Sequence, residues 1–186
     1  MRKKYFFFLL PFIFYSPSEV KVLENDLFSS TSFPLIFYKP DVLESKISEE
    51  EIHCLALNIY FEAGIENTEG KKAVAHVTLN RVNSDKFPNT ICEVVKQSVT
   101  DWRGLPVKHK CQFSWFCDGK SDNPWKGDKW YESKDIAKQY ATNYYSFKDR
   151  TKGSLYYHAD YVNPEWAKDM KKTIKIGKHI FYKIKG

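Results

Sequence analysis

The segment from Ser48 to Gly64 constrains the fold most, because it carries the full pattern of one buried α-helix. Ser48 is followed three residues later by Glu51, a spacing that caps the N-terminus of a helix. Apolar residues then recur every three or four positions, which places them on one helical face. They are Ile52, Leu55, Ala56, Ile59, Tyr60 and Ala63. Gly64 is a common helix end. We therefore predict a helix over 48–63 whose apolar face lies in the core.

Further segments of the chain extend this pattern. Apolar residues have helical spacing over about 68–82, in a shorter segment after Pro88, and over 132–147. Residues 111–115 (CQFSW) alternate between apolar and polar instead, which predicts a strand or hairpin. A chain of 186 residues allows one domain with a tail. The predicted class is helix-dominated α+β, with a small β-hairpin region, in one domain over 47–186.

The first 46 residues differ from this domain. A basic start precedes an apolar run over 5–15, which is the form of a secretory signal and is too short to span a membrane as a free helix. No small-x-small cleavage site follows, so 1–15 is expected to be either a removed signal or a retained membrane-associated anchor. A hydrophobic N-terminal strand is the alternative. Residues 16–46 contain three prolines and many serines, which predicts a tether or arm.

The chain has four cysteines: Cys54, Cys92, Cys111 and Cys117. An even number behind an export-like segment predicts two disulfides in an oxidising compartment. Three pairings exist, and we favour Cys92–Cys111 with Cys54–Cys117 because the first pair would fix the ends of a loop. Buried free thiols are the alternative. A zinc site is disfavoured because no cysteine pair has ligand spacing.

The charge of the chain suggests its partners. Basic residues outnumber acidic ones by 29 to 23, giving a net charge of +6, and most of the surplus lies in the predicted domain. A positive surface favours nucleic acid, anionic lipid or an acidic polymer. The lysines are scattered rather than clustered, and an export segment argues against nucleic acid. An acidic glycan is therefore the expected partner.

Glu62 is the leading candidate for chemistry. It follows Leu55 by seven positions and Ile59 by three, so it shares the apolar face of the first predicted helix. A carboxylate in that position is partly desolvated, which raises its pKa into the range useful for a general acid. The alternative is a glutamate at a helix end that reaches water or pairs with a lysine.

Other parts of the sequence suggest a binding surface. The five histidines show no paired metal-ligand spacing, so no metal or other cofactor is predicted. Aromatic residues make up 17% of the chain, and several of them lie beside small polar residues in its second half. Flat rings such as Trp115, with Gln112, Ser114 and Asp118 as neighbours, are suited to stacking against sugars and hydrogen bonding to them. The alternative is that most of these rings form the core.

Five sequence blocks, in order, resemble the SleB/CwlJ-type cell wall hydrolases, a family that includes spore-cortex-lytic enzymes and phage endolysin-like proteins. They are ALNIYFEA, GKKAVAHVTLNRV, FPNTICEVVKQ, CQFSWFCDGK, and SLYYHADYVNPEW with KIGKHIFYK. The resemblance covers about residues 50 to 183. It implies a lysozyme-like, lytic-transglycosylase-like fold with a catalytic glutamate at the end of the first helix.

The position that matches this catalytic acid is Glu62. The family commonly has EARGE where this chain has EAGIE, so Gly64 replaces the arginine while Glu66 keeps the second acid. That replacement leaves open what substrate contact or bracing the arginine makes elsewhere. Gln112, Ser114 and Tyr157 lie in family-like blocks and are the candidates for the wall of the cleft. Glu66, Trp115 and Asp118 are further candidates for substrate binding.

The resemblance implies an enzyme that acts on peptidoglycan glycan strands. With the export-like segment, we expect a monomer that works in the periplasm or cell envelope, or on a host wall if a phage encodes it. We expect a lytic transglycosylase in which Glu62 is the single acid and base. Hydrolysis, with Glu66 or Asp118 as a second carboxylate, is the close alternative, and a cell-wall amidase is a further one. A non-catalytic peptidoglycan-binding module is the alternative from another class.

Overall fold

A computed structural model describes residues 47–185; the predicted signal or anchor over 1–15 and the arm over 16–46 lie outside the described residues. The described part contains helices and two small antiparallel sheets, which confirms the helix-dominated α+β class. The helices are α1 Glu49–Ala63, α2 Thr68–Val82, α3 Ile91–Val95 and α4 Asp128–Asn143. The strands are β1 Ser98–Thr100, β2 Pro106–Cys111, β3 Tyr156–Ala159, β4 Met170–Ile176 and β5 His179–Ile184.

Helix α1 is the centre of the fold. Its apolar face, including Leu55, Ala56 and Ile59, is fully buried, and the helix packs against α2, α3 and α4. Ser48 caps the N-terminus by accepting a hydrogen bond from the backbone N–H of Glu51. The Glu51 carboxylate does not return to Ser48. It accepts the N–H of Ile91 at 2.6 Å and so caps α3, which docks this short helix on α1.

The hairpin lies earlier in the chain than the alternating pattern predicts. Strands β1 and β2 pair through a turn at Gly104, which has φ +78°, and β2 ends at Cys111. Residues Ser114–Cys117 form a 3-10 turn rather than a strand. The burial of Phe113 and Trp115 at alternate positions comes from this tight turn. An apolar alternation over five residues cannot distinguish the two conformations.

Helix α4 begins and ends a few residues earlier than predicted. It covers Asp128–Asn143, and a 3-10 turn follows over Tyr144–Ser146. Its residues Ile136, Ala137 and Tyr140 are buried in the same core as the apolar face of α1.

The C-terminal segment from Tyr156 to Ile184 forms a three-stranded antiparallel sheet that was not predicted from the sequence. Its strand order is β3-β5-β4. Strands β4 and β5 are joined by Gly177 and Lys178, and Gly177 has φ +56°. Phe181 on β5 is fully buried and packs with Ala73 and Val77 of α2, so the sheet docks on α2.

The cysteines form two disulfides, as predicted, but the favoured pairing was wrong. Cys54 is bonded to Cys92, and Cys111 to Cys117. The first bond joins α1 to α3, which the Glu51 cap already holds side by side. The second closes the short chain between the end of β2 and the 3-10 turn. The first pairing follows from the docking of α3 on α1, which spacing along the sequence does not show, and the second joins residues only six positions apart.

Candidate active site

The candidate acid, Glu62, lies in the last turn of α1. The fully buried residues Ile59 and Ala63 anchor this turn in the core, and the Glu62 side chain is itself half-buried. Its Oε2 atom accepts a hydrogen bond from the hydroxyl of Tyr157, at 3.0 Å. Tyr157 belongs to β3, so the contact joins the helical part of the fold to the C-terminal sheet.

The surroundings of Glu62 favour, on balance, its protonated form. Burial raises its pKa above the ordinary value for a glutamate, while the Tyr157 hydrogen bond and the positive charge of Arg81 act in the opposite direction. Burial and the neighbouring Glu62 raise the pKa of Tyr157 well above its usual range, so the phenol stays protonated and donates. Such a carboxyl holds its proton to a higher pH than a solvated one and can still release it.

Glu66 supports a turn near this site. Its Oε2 atom accepts the backbone N–H of Lys178 at 3.0 Å and therefore holds the β4–β5 turn against the start of α2. A side chain at Gly177 would meet the same oxygen. The structure thus gives Glu66 a bracing contact; the predicted substrate contact stays a prediction.

The remaining predicted polar residues lie on the segment after β2. Asp118 accepts the N–H of Lys120 at 2.8 Å and forms an ion pair with its ammonium group at 3.5 Å. The hydrogen bond from the Lys120 backbone, with the positive charge of Lys120, lowers the pKa of Asp118, so it is a carboxylate at neutral pH. Gln112 and Ser114 have exposed side chains, and their predicted substrate contacts also stay predictions.

Trp115 is a core residue in the structure. It is 8% exposed, its ring stacks on Phe61 at 4.8 Å, and its indole N–H donates to Oδ1 of Asn58. Asn58 in turn donates to Thr78 of α2. This buried network fixes α1 one turn before Glu62. Trp115 therefore supports the helix that carries the acid, and its burial leaves no free ring face for stacking on a sugar.

Two residues near the site were missed by sequence reasoning. Asn58 interrupts an apolar face, and a buried amide of this kind requires partners, which was a usable signal. Arg81 lies at the end of α2 and is 5% exposed. A charged residue after Asn80 at a helix end carries no such signal, and the effect of Arg81 on Glu62 depends on how α2 packs against α1.

The sequence and fold both match proteins of known family. The model of the family described as Cell Wall Hydrolase matches residues 65–182. The chain belongs to this cell wall hydrolase family. The match begins at residue 65, so Glu62 lies just before the matched segment. The predicted family is confirmed.

This cell wall hydrolase is similar to larger proteins and to solved domains. It is 31% identical over 137 residues to a spore cortex-lytic enzyme of Oceanobacillus iheyensis, an alignment that covers 73% of this chain and 42% of the relative. The chain thus spans about two fifths of that relative's length.

Two solved structures share the fold of this cell wall hydrolase. The catalytic domain of the germination-specific lytic transglycosylase SleB from Bacillus anthracis is 29% identical, with a TM-score of 0.56, and the match covers 74% of this chain and 98% of that one. The catalytic domain of Bacillus cereus SleB is 30% identical, with a TM-score of 0.51, and the match covers 73% and 91%.

Metal-binding clusters and membrane-spanning helices are both absent from residues 47–185 of this cell wall hydrolase. No group of three or more His, Cys, Asp or Glu side chains has the arrangement of a metal site. No helix there is both long and apolar enough to cross a membrane.

Proposed function

We propose that the protein cleaves the glycosidic bond between N-acetylmuramic acid and N-acetylglucosamine in peptidoglycan, as a lytic transglycosylase with Glu62 as its single acid and base. The observation that carries this proposal is the environment of Glu62, where burial raises the pKa of the carboxyl and Tyr157 orients one of its oxygens. The similarity to a domain described as a lytic transglycosylase supports the substrate and reaction class.

The reaction uses Glu62 twice. The protonated carboxyl first donates its proton to the oxygen that links C1 of the muramic acid to the glucosamine, and that C–O bond breaks. The resulting carboxylate then removes the proton from the 6-hydroxyl of the same muramic acid. Its oxygen bonds to C1, which gives a 1,6-anhydro ring and restores the protonated acid. One group thus serves both steps, and no water is consumed.

Glu66 and Asp118, the other candidate carboxylates, already make structural contacts, and this favours a mechanism with one carboxylate. Glu66 holds the N–H of Lys178, and Asp118 is bound to Lys120. Hydrolysis would require a second carboxylate at a defined distance from Glu62. That distance is about 5–5.5 Å if the second group acts as a nucleophile and about 6.5–9.5 Å if it activates water. A carboxylate tied to a turn is poorly placed to activate water.

Two features support action outside the cytoplasm. Two disulfides are typical of proteins in an oxidising compartment, and the positive surplus of the chain suits a wall polymer with carboxylated peptides. We propose that the protein is exported and works in the periplasm or cell envelope, as a monomer.

Mass spectrometry of digested peptidoglycan tests the proposal. Purified sacculi are incubated with the oxidised protein, and the released muropeptides are analysed. The expected products end in 1,6-anhydromuramic acid and are lighter by one water than hydrolysis products. Products with a reducing muramic acid would instead show hydrolysis, and free stem peptides would show amidase activity. A preparation of Glu62→Gln serves as the matched control for contaminating enzymes.

A further inference from the structure

Arg81 is a buried cation close to the proposed acid. Its guanidinium carbon lies 4.9 Å from the centre of the Phe113 ring, 5.0 Å from Phe87 and 5.9 Å from Tyr156. Its Nη1 atom is buried and has no hydrogen-bond partner among the described residues. Taking a guanidinium out of water is costly unless other interactions compensate. Ring faces supply part of that compensation, because they attract cations.

Arg81 contacts the two residues that precede Tyr157 in the chain. Its Nε atom donates to the carbonyl oxygen of Leu155 at 2.8 Å, and one of its ring contacts is Tyr156. These two residues immediately precede Tyr157, which donates to Glu62. Arg81 therefore fixes the backbone at the point where β3 begins, and through it the position of the phenol.

Arg81 also acts on Glu62 through its charge. It favours the ionised form of Glu62 and in part offsets the rise in the pKa of that group caused by burial. A guanidinium keeps its proton even when burial lowers its pKa, so this charge is permanent.

Among the described residues, Arg81 is the cation whose charge acts on the pKa of Glu62. Tyr157 of β3 contacts Glu62 directly, and Arg81 belongs to α2. Behind Tyr157, on β5, the His179 ring lies 5.1 Å from the phenol ring, with Glu66 close to the histidine. Burial lowers the pKa of His179, so this imidazole is neutral at pH 7 and adds no charge.

We propose that Arg81 is a positioning residue for Glu62: it holds the start of β3 so that the Tyr157 hydroxyl meets the acid, and it supplies the fixed positive charge opposite the carboxylate that exists between the two proton transfers. This inference rests on the proposed function, in which Glu62 gives up a proton and takes one back. A carboxylate that were buried without such a charge would be too unstable to form readily in the first step.

The test compares Arg81→Met with Arg81→Lys, two unbranched side chains of similar length that differ in charge. The titration of the Glu62 carboxyl is followed by carbon NMR in the purified, oxidised chain, and the pH profile of sacculus digestion is recorded alongside. In Arg81→Met, Glu62 should titrate at a higher pH than in the wild type, and the alkaline limb of activity should move the same way. Arg81→Lys should titrate close to the wild type.

The inference fails if Arg81→Met and Arg81→Lys lose activity equally at every pH while the Glu62 titration stays in place, because the role is then structural only. Melting temperatures report whether each variant is folded. If Arg81→Met is not, Arg81→Gln replaces it, since its amide can still donate to Leu155. The NMR titration needs no substrate. It therefore decides the role of Arg81 even if Glu62→Gln remained active and the proposed function failed.

Discussion

The hydroxyl of Tyr157 donates a hydrogen bond to Oε2 of Glu62 across 3.0 Å, and the two residues are 95 positions apart in the chain. The bond ties the last turn of α1 to the first strand of the C-terminal sheet. Because a hydrogen bond to the ionised form stabilises it, the acidity of Glu62 depends on the docking of this sheet. Both helix α1 and the C-terminal sheet therefore influence the pKa of Glu62.

Tyr157→Phe should move the alkaline limb of the pH–activity profile to higher pH. Loss of the hydroxyl removes an interaction that lowers the pKa of Glu62, so the acid keeps its proton longer. A hydrogen bond to a charged group contributes about 1.5–3 kcal/mol, which predicts a roughly 10- to 100-fold slower first step, the one in which Glu62 becomes ionised. Sacculus turbidity measured across pH checks both effects.

The matched control for this variant is Tyr182→Phe. Tyr182 lies on the neighbouring strand β5, and its hydroxyl is bonded to Nε2 of His158 at 2.9 Å rather than to Glu62. This substitution removes one oxygen from the same sheet and should leave the limb where it is. Equal shifts in the two variants would mean that the sheet as a whole, and not the Tyr157 hydroxyl, sets the acidity.

Glu62→Gln should abolish activity and also stabilise the protein at neutral pH. General acid–base catalysis contributes about 10²–10⁴-fold, which sets the expected loss. The Gln variant removes a group that the folded protein prefers to keep protonated. Wild-type stability should fall, relative to the variant, as pH rises from about 4.5, the ordinary value, through the raised folded pKa.

Thermal melts at pH 4 and pH 8 check the stability part of this prediction: the two proteins should melt together at pH 4 and apart at pH 8. Glu66→Gln is the control, because its amide oxygen can still accept the N–H of Lys178. It should retain most of the activity. Equal inactivity of the two variants would contradict the assignment of Glu62 as the single acid.

The sequence predicted the parts of the site that are local. The capping serine, the apolar period and Gly64 fix α1 without reference to any other element, and Glu62 follows from its place on that face. The same reasoning placed α2 at its observed bounds. These features depend on neighbours within a few residues, which a single sequence shows directly.

The parts that failed depend on contacts between distant segments. The disulfide pairing follows from Glu51 capping α3, and the Arg81 contacts follow from how α2 packs on β3. Trp115 was expected at the surface because its buried hydrogen-bond partner, Asn58 of α1, is distant in the sequence. The missed strands β4 and β5 did have a local signal, namely alternating residues around Gly177 and Lys178.

The two disulfides should differ in what they contribute to stability. Cys54 and Cys92 are 38 positions apart in the chain, and Cys111 and Cys117 are six positions apart. Loop-closure entropy predicts about 4 kcal/mol for the longer loop and about 2 kcal/mol for the shorter one. Paired alanine variants, compared by urea unfolding, check this ranking. A larger loss for Cys111→Ala with Cys117→Ala would show that folded-state contacts, rather than loop entropy, dominate.

Substitution of two tryptophans should distinguish a core residue, Trp115, from an exposed residue that binds sacculi, Trp125. Trp115 is 8% exposed, so Trp115→Ala should lower the free energy of unfolding by about 3–5 kcal/mol. Trp125 is 82% exposed, and its backbone N–H donates to the hydroxyl of Tyr60. Trp125→Ala should change stability by less than about 0.5 kcal/mol and weaken adsorption to sacculi, because an exposed ring offers a face to sugars. Unchanged adsorption would remove Trp125 from the binding surface.

Gly177→Ala tests the brace that Glu66 provides to the sheet behind the site. Gly177 has φ +56°, and an added Cβ would lie 2.0 Å from Oε2 of Glu66, so the carboxylate must move and release the N–H of Lys178. Gly153→Ala is the control, because Gly153 also has positive φ (+74°) but open space around it. Both variants suffer backbone strain of about 1–3 kcal/mol. Gly177→Ala should cost about 1 kcal/mol more in urea unfolding, the contribution of one hydrogen bond. It should also slow sacculus digestion, since β5 carries Phe181, which packs against Tyr157 at 5.6 Å.

Adding Glu66→Ala removes the clash, so the double variant should be more stable than the sum of the single losses predicts. Simple additivity would show that Glu66 does not brace the turn.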